Sequence, residues 1–195
     1  MANSKRKCPC CGKYNRPEEG VEIMGRLYCS FDHASEYAAR IKLKGTAKRE
    51  KQERKEVKER KRKLLTKSDW IKKVQTACNA YVRYRDNGKK CVTCDSILYI
   101  GGVGGGFDAG HYRSRGSAPH LRFNTLNIHG QCKKCNTWGV DKDVYTEELE
   151  KRIGADLVEK LNADQLDRKY TITDLERLEK VFKRKLKMRK AREVA

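Results

Sequence analysis

The most regular hydrophobic pattern lies near the middle of the chain. Trp70, Ile71, Val74, Ala77, Cys78, Tyr81 and Val82 recur at three- and four-residue intervals, the stripe of a helix with one buried face. Ser68 precedes it as an N-cap and Asp86-Asn87-Gly88 ends it, so the pattern predicts a helix from Asp69 to about Arg85. Ile97-Leu98-Tyr99-Ile100 reads as a strand and Phe107–Tyr112 as a second short one, joined through Gly101–Gly106 as a flexible hairpin tip. Those glycines lack the strand-to-helix setting of a phosphate-binding loop. Farther on, Leu149, Ile153, Leu157 and Leu161 repeat every four residues, with a break at Gly154. Leu175, Leu178, Phe182 and Leu186 form one face of a final basic helix, opened by a capping box in Thr173-Asp174-Leu175-Glu176. Near the N-terminus, Val21–Tyr28 predicts a short hairpin whose Ile23, Leu27 and Tyr28 are available for packing.

One long stretch has no apolar period. From Lys42 to Lys67 there are 13 basic and 4 acidic residues, a local surplus of +9. Val57 stands alone between Ala47 and Leu64, too little for a coiled-coil seam. Glu50, Glu53, Glu56 and Glu59 sit three apart among Lys and Arg, which supports an exposed helix. Such a helix is either a solvated spacer or an element lying along a phosphate backbone, and composition favours neither.

The surplus extends to the whole chain. Its 195 residues carry 46 Lys and Arg against 26 Asp and Glu, a net +20, and only 37% are apolar. A self-repelling chain of this kind calls first for nucleic acid and second for an acidic membrane surface. No stretch approaches the ~20 apolar residues that span a bilayer, and no membrane partner is expected. Met1–Arg6 contain no apolar signal core, so the expected setting is a reducing cytoplasm, where disulfides are rare.

Nine cysteines then read as metal ligands. Cys91-x2-Cys94 and Cys132-x2-Cys135 are two knuckles of equal spacing, which complete a tetrahedral four-thiolate zinc shell with no open position. Cys8, Cys11, Cys29 and His33 make a second zinc site, with Cys10 an alternative to Cys8 and Gly12 placed where positive φ is needed. Cys78 reads as a small buried hydrophobe. These features divide the chain into a zinc module (1–36), a basic helix or linker (37–67), a four-cysteine core (68–140) and a helical region (141–195). The fold class is a small, zinc-stabilised α+β.

Between the central knuckles lie chemically capable groups. His111 titrates near neutrality and can serve as a general base. Asp108 and Asn136 are hard oxygen ligands suited to magnesium or manganese. Such a cation offsets charge on a phosphodiester and on its departing 3′ oxygen. Asp108 and His111 fall on opposite faces of an extended strand, so a bulge at Gly110 is the expected way to bring both inward. His129 is the competing metal ligand. Arg113, Arg115 and Arg122, with Lys133 and Lys134, form the expected nucleic-acid surface. His120, after Pro119, has no assignment.

The run Asp108–Asn136 (DAGHYRSRGSAPHLRFNTLNIHGQCKKCN) resembles the NinG family of lambdoid phages, also called Rap, and the likeness extends over most of the chain. The resemblance implies a structure-specific endonuclease in phage recombination, cutting Holliday junctions and D-loops with a divalent metal in the bacterial host cytoplasm. More broadly, the segment is similar to HNH, or His-Me finger, nucleases, implying a ββα-metal core. By that likeness His111 matches the base, Asn136 the metal-binding position and Asn127 the asparagine that orients backbone or base. Two departures stand out. The acid that directly precedes the base in many such proteins is replaced by Gly110, and the run after Asn136 reads Thr137-Trp138-Gly139-Val140-Asp141-Lys142. Expected partners are branched or duplex DNA and phage recombination proteins, with a homodimer if cuts are paired. The competing reading is a non-catalytic, zinc-stabilised DNA- or RNA-binding accessory protein.

Overall fold

A computed structural model describes residues 5–101 and 105–194. The expected glycine tip therefore falls partly outside the described residues, at 102–104. The chain divides into two compact units, 1–64 and 65–195.

In the first unit β1 (Arg6–Lys7) pairs antiparallel with β2 (Tyr14–Asn15), and the intervening loop carries Cys8 to Gly12. Gly12 has φ +78°, the left-handed region glycine adopts without a Cβ penalty. β3 (Val21–Ile23) and β4 (Arg26–Tyr28) form the expected hairpin. Its two turn residues, Met24 and Gly25, both have positive φ, as a tight turn matched to strand twist requires. Tyr28, Cys8 and Ala34 make a small core flanked by Ile23 and Tyr37. Helix α1 (Phe31–Lys63) starts at Ser30, whose hydroxyl accepts from His33 N at 3.3 Å. It is one continuous helix of 33 residues, so the division drawn at 36/37 falls inside a single element, and Ala34 is its one buried residue.

The second unit is built on α2 (Lys67–Asp86) packed against α6 (Ile172–Val194). Trp70, Val74, Ala77, Cys78 and Val82 meet Leu175, Phe182, Phe123 and Ile128 in one core, as the periodicities predict. Cys78 is fully buried there, and burial pushes its thiol up to about 12. Both caps lie two residues before their expected positions. Thr66, not Ser68, exchanges hydrogen bonds with Asp69, and Thr171 does the same with Asp174. Asp in place of Glu at the third helical position closes the box equally well.

The expected strand at Ile97–Ile100 is absent. Only an isolated bridge, Lys90 to Ile97, forms there. Leu98 is buried while Ile97, Tyr99 and Ile100 are exposed, so one anchor side chain replaces a buried row. The partner of β5 (Phe107–His111) is instead β6 (Ile128–Cys132), antiparallel in the register His111–Ile128 to Phe107–Cys132. Helix α3 (Lys133–Trp138) follows β6 directly. Beyond it, α4 (Lys142–Ile153) and α5 (Ala155–Ala163) are separated at Gly154, φ +94°. That break shifts the apolar face by one residue. Tyr145, Leu149, Val158 and Leu161 join Val92, Ala118 and Leu121 in a second core, and Val158 takes the place expected of Leu157.

The end of α2 is locked to β6 by Asp86. It is 2% exposed, and its carboxylate accepts Gly130 N (2.8 Å) and Arg85 Nη2 (2.6 Å). The arginine pairing and the Gly130 N–H outweigh burial and hold its pKa below the usual carboxylate range. Gly130 is a glycine for steric reasons. A Cβ there would lie 2.6 Å from Leu98 Cδ1 and 2.9 Å from Asp86 Cβ. Gly130→Ala is therefore expected to lose about 1–3 kcal/mol, read as a lowered urea midpoint with an unchanged slope.

Candidate functional site

Two clusters of metal-ligating atoms sit where the knuckle spacing predicts them, one in each unit. The donor atoms of Cys8, Cys11, Cys29 and His33, and separately those of Cys91, Cys94, Cys132 and Cys135, lie within 4.8 Å of one another. Cys10 is not among them. Cys11 and Cys29 sulfurs are 3.4 Å apart and Cys94 and Cys132 sulfurs 3.8 Å, far beyond a disulfide. About 3.8 Å is the edge of a tetrahedron with Zn–S near 2.3 Å. His33 Nδ1 is buried with no hydrogen-bond partner, as an imidazole awaiting a cation would be. Around Cys8, burial opposes ionisation, yet the backbone N–H groups of Cys11, Cys29 and Cys10 bring the thiol down to about 6. Burial pushes Cys132 up to about 12 while Ser96 helps bring Cys94 down to about 7, so only a bound cation lets all four central thiols ionise together. Both clusters could hold zinc.

Around β5 the groups separate by strand face. The β5–β6 ladder is regular from residue 107 to 111, so the bulge expected at Gly110 does not occur, and Asp108 and His111 face opposite ways. Asp108 meets α3: its Oδ1 lies 2.8 Å from Lys133 Nζ and its Oδ2 accepts from Asn136 Nδ2 at 3.1 Å. Asn136 is exposed. Both carboxylate oxygens of Asp108 are thus engaged by N–H donors of α3.

His111 is half-buried, and its Nε2 donates to Arg122 O at 3.0 Å. That bond leaves the lone pair on Nδ1. Desolvation, with the charges of Arg115 and Arg122, lowers its pKa from the usual histidine range, which favours the neutral ring. Arg122 is itself depressed by burial and by Arg115. The described residues supply no ion pair to either arginine, which suits an anion.

Asn127 is fully buried and clamps the chain just after β5. Its Oδ1 accepts Arg113 N (2.8 Å) and its Nδ2 donates to Arg113 O (3.0 Å). The arginine beside it has a different position from the one expected. Arg113 sends its guanidinium inward, to Leu161 O (2.8 Å), Asp164 O (2.7 Å) and Gln165 Oε1 (3.0 Å). It caps the end of α5 by donating to Leu161 O and to Asp164 O just beyond the helix. Lys134 is exposed on α3. His129 is not among the oxygen ligands. It is buried, donates from Nε2 to Leu126 O at 2.9 Å, and desolvation beside Arg85 drives its pKa to about 4. His120 bonds Asp164 O at 2.9 Å while Tyr170 OH donates to His120 O. This pair staples the Pro119–Leu121 turn to the segment before α6, a role that sequence spacing did not signal.

Two outcomes follow. Each chain is expected to carry two zinc ions by elemental analysis, and Cys132→Ser to carry one, with collapse of the near-UV CD of the second unit. Arg113→Ala is expected to cost about 1–3 kcal/mol in urea unfolding by removing the guanidinium from Leu161 O and Asp164 O, with duplex affinity within twofold of the parent.

Among the described residues no helix is long and apolar enough to cross a membrane. No solved structure matches the chain. The family model described as Bacteriophage Lambda NinG protein matches residues 1–193. Protein ninG of Escherichia phage 933W is 31% identical over 196 residues, covering 94% of this chain and 93% of the relative. Protein ninG of Escherichia phage lambda is 37% identical over 129 residues, 66% of this chain and 61% of the relative. Protein ninG of Salmonella phage P22 is 36% identical over the same length. With a family match over nearly all its residues, the chain belongs to the NinG family of bacteriophage proteins.

Proposed function

We propose that the protein is a metal-dependent endonuclease of the HNH, or His-Me finger, type, with β5, β6 and α3 as its ββα core. Its substrate would be branched DNA in phage recombination, in the cytoplasm of the infected bacterium. The observation that carries this reading is the state of His111. Its Nε2 is held by Arg122 O, burial favours its neutral ring, and Arg115 and Arg122, without an ion-pair partner among the described residues, stand beside it. A purely structural histidine has no need of a neighbouring anion site.

In this reading His111 Nδ1 takes the proton from the attacking water. Arg115 and Arg122 bind the phosphate and bring its scissile bond to the base. Asn127 keeps the backbone just after His111 in place through Arg113 N and O. A magnesium or manganese ion held by Asp108 and Asn136 would offset charge on the phosphate and on the leaving 3′ oxygen. In related nucleases the acid directly precedes the base. Here residue 110 is glycine, and a Cβ there would displace the Gln131 side chain. Asp108, two residues earlier, shares the strand face of residue 110 and supplies the carboxylate from there. Paired cuts across a junction would take two chains, with other phage recombination proteins as further partners.

The test incubates purified protein with a labelled four-way junction, a D-loop and matched duplex, in magnesium, in manganese and with neither. Metal-dependent cleavage is expected, falling at least a hundredfold in His111→Ala while binding persists. Because the folded pKa of His111 lies below 6.5, the rate stays level down to that range and falls only as acid protonates the ring. Tight binding with intact junctions under every condition would replace this reading with the accessory, non-catalytic one.

A further inference from the structure

Helix α1 contains more than its packing requires. Only Ala34 is buried, and every residue from 47 to 61 is exposed. A helix advances about 100° per residue, which sorts the charges of this segment by face. Lys44, Lys48, Lys51, Lys55, Lys58 and Arg62 follow one another at steps of 4, 3, 4, 3 and 4 residues. They form a single straight row within an arc of roughly 80°. Glu50, Glu53, Glu56 and Glu59 step by three residues, so each falls about 60° behind the last. They wind across the other faces and leave the row all cationic.

A solvated spacer has no reason for such a row. It gains stability when glutamate and lysine alternate at i,i+4, and loses it when like charges are neighbours. Along this row each successive member is a cation three or four residues from the last, and the one acid at its edge is Glu59, four residues after Lys55 and 3.9 Å from Arg62. No ion pair engages Lys44, Lys48, Lys51, Lys55 or Lys58 among the described residues. From Lys44 to Arg62 the row runs about 27 Å, at ~1.5 Å per residue. That is the length of about eight phosphates of one strand of a duplex at ~3.4 Å each.

We propose that this face of α1 is a docking surface for the phosphate backbone of double-stranded nucleic acid. The row holds no aromatic side chain, so it offers no stacking platform for single strands. Val57 is the one large apolar residue between Leu43 and Leu64, so the helix has no apolar face to sink into an acidic membrane. The surface is independent of hydrolysis at His111, and its test is arranged accordingly.

Full-length protein carrying His111→Ala keeps the duplex intact whichever way the hydrolytic reading falls. In that background Lys48, Lys51, Lys55 and Lys58 are changed together to Gln. A control changes Lys42, Arg49, Arg60 and Lys63 to Gln, removing the same charge from outside the row. Far-UV CD confirms that both variants keep the helix. Affinity for a blunt DNA duplex, an RNA duplex and a single strand is read by anisotropy over a salt series. The row variant is expected to bind duplex at least about tenfold more weakly, with the slope of log K against log salt reduced by about 3 to 4. The control is expected to change the slope by less than one. Loss on DNA alone, or on both duplexes, supports the proposal and identifies the backbone recognised. Equal loss from both variants would show diffuse basicity, and loss confined to single strands, or none, would show a spacer; each overturns it.

Discussion

The second unit depends on the convergence of four sulfur atoms. Cys91 and Cys94 belong to the turn after α2, and Cys132 and Cys135 to the junction of β6 with α3. Cys132 N also donates to Cys91 Sγ at 3.3 Å. Bringing these segments together sets where β6 runs, and β6 is the one strand partner of β5 among the described residues. The β5–β6 pairing in turn fixes the faces of Asp108 and His111. A two-stranded sheet is marginal in water without such help. Asp86 supplies the other tie, from the end of α2 to Gly130 at the centre of β6. A cation in the thiolate cluster would thus stabilise the site indirectly, by holding the strand on which it is read.

The net charge of +20 is distributed over surfaces with different uses. Arg113 and Arg85 spend their guanidinium groups on backbone carbonyls inside the protein. Lys133 answers the Asp108 carboxylate. Arg115 and Arg122 have no such partner among the described residues, and neither do the lysines of the α1 row. An arginine that satisfies a helix end and one that awaits a phosphate look alike in composition. Only the positions of acceptors within the fold distinguish them.

Much of this was legible in the sequence, for local reasons. The α2 stripe, the α6 stripe and both metal clusters rest on short spacings, and Cys8 over Cys10 follows from the two-residue knuckle alone. What escaped depended on distant contacts. Ile97–Ile100 has strand-forming residues, yet the fold needs only Leu98 from it. Ile128–Cys132 has Gly and polar residues where alternation would be sought, yet it becomes the strand that pairs with β5 because Asp86, Leu98 and Phe107 close around Gly130. The caps at Thr66 and Thr171 were missed by two residues because Asp, at the third helical position, does the work assigned to Glu.

Strand parity explains why the proposed site survives without an acid next to its base. Gln131 lies opposite Asp108 in the ladder, and its side chain folds over residue 110 while Nε2 reaches Thr93 beside the knuckle at 3.3 Å. A Cβ at residue 110 would push that side chain aside. An acid moved by one residue would turn to the face of His111 and Ala109, toward the α2 core. An acid moved by two keeps its face and meets Asn136 on α3, as Asp108 does. A bulge would have cost the register that positions His111 against Arg122, whereas a two-residue displacement leaves the ladder intact. The same regular pairing that first separates Asp108 from His111 is therefore what keeps the carboxylate on the face where the hydrolytic reading needs it.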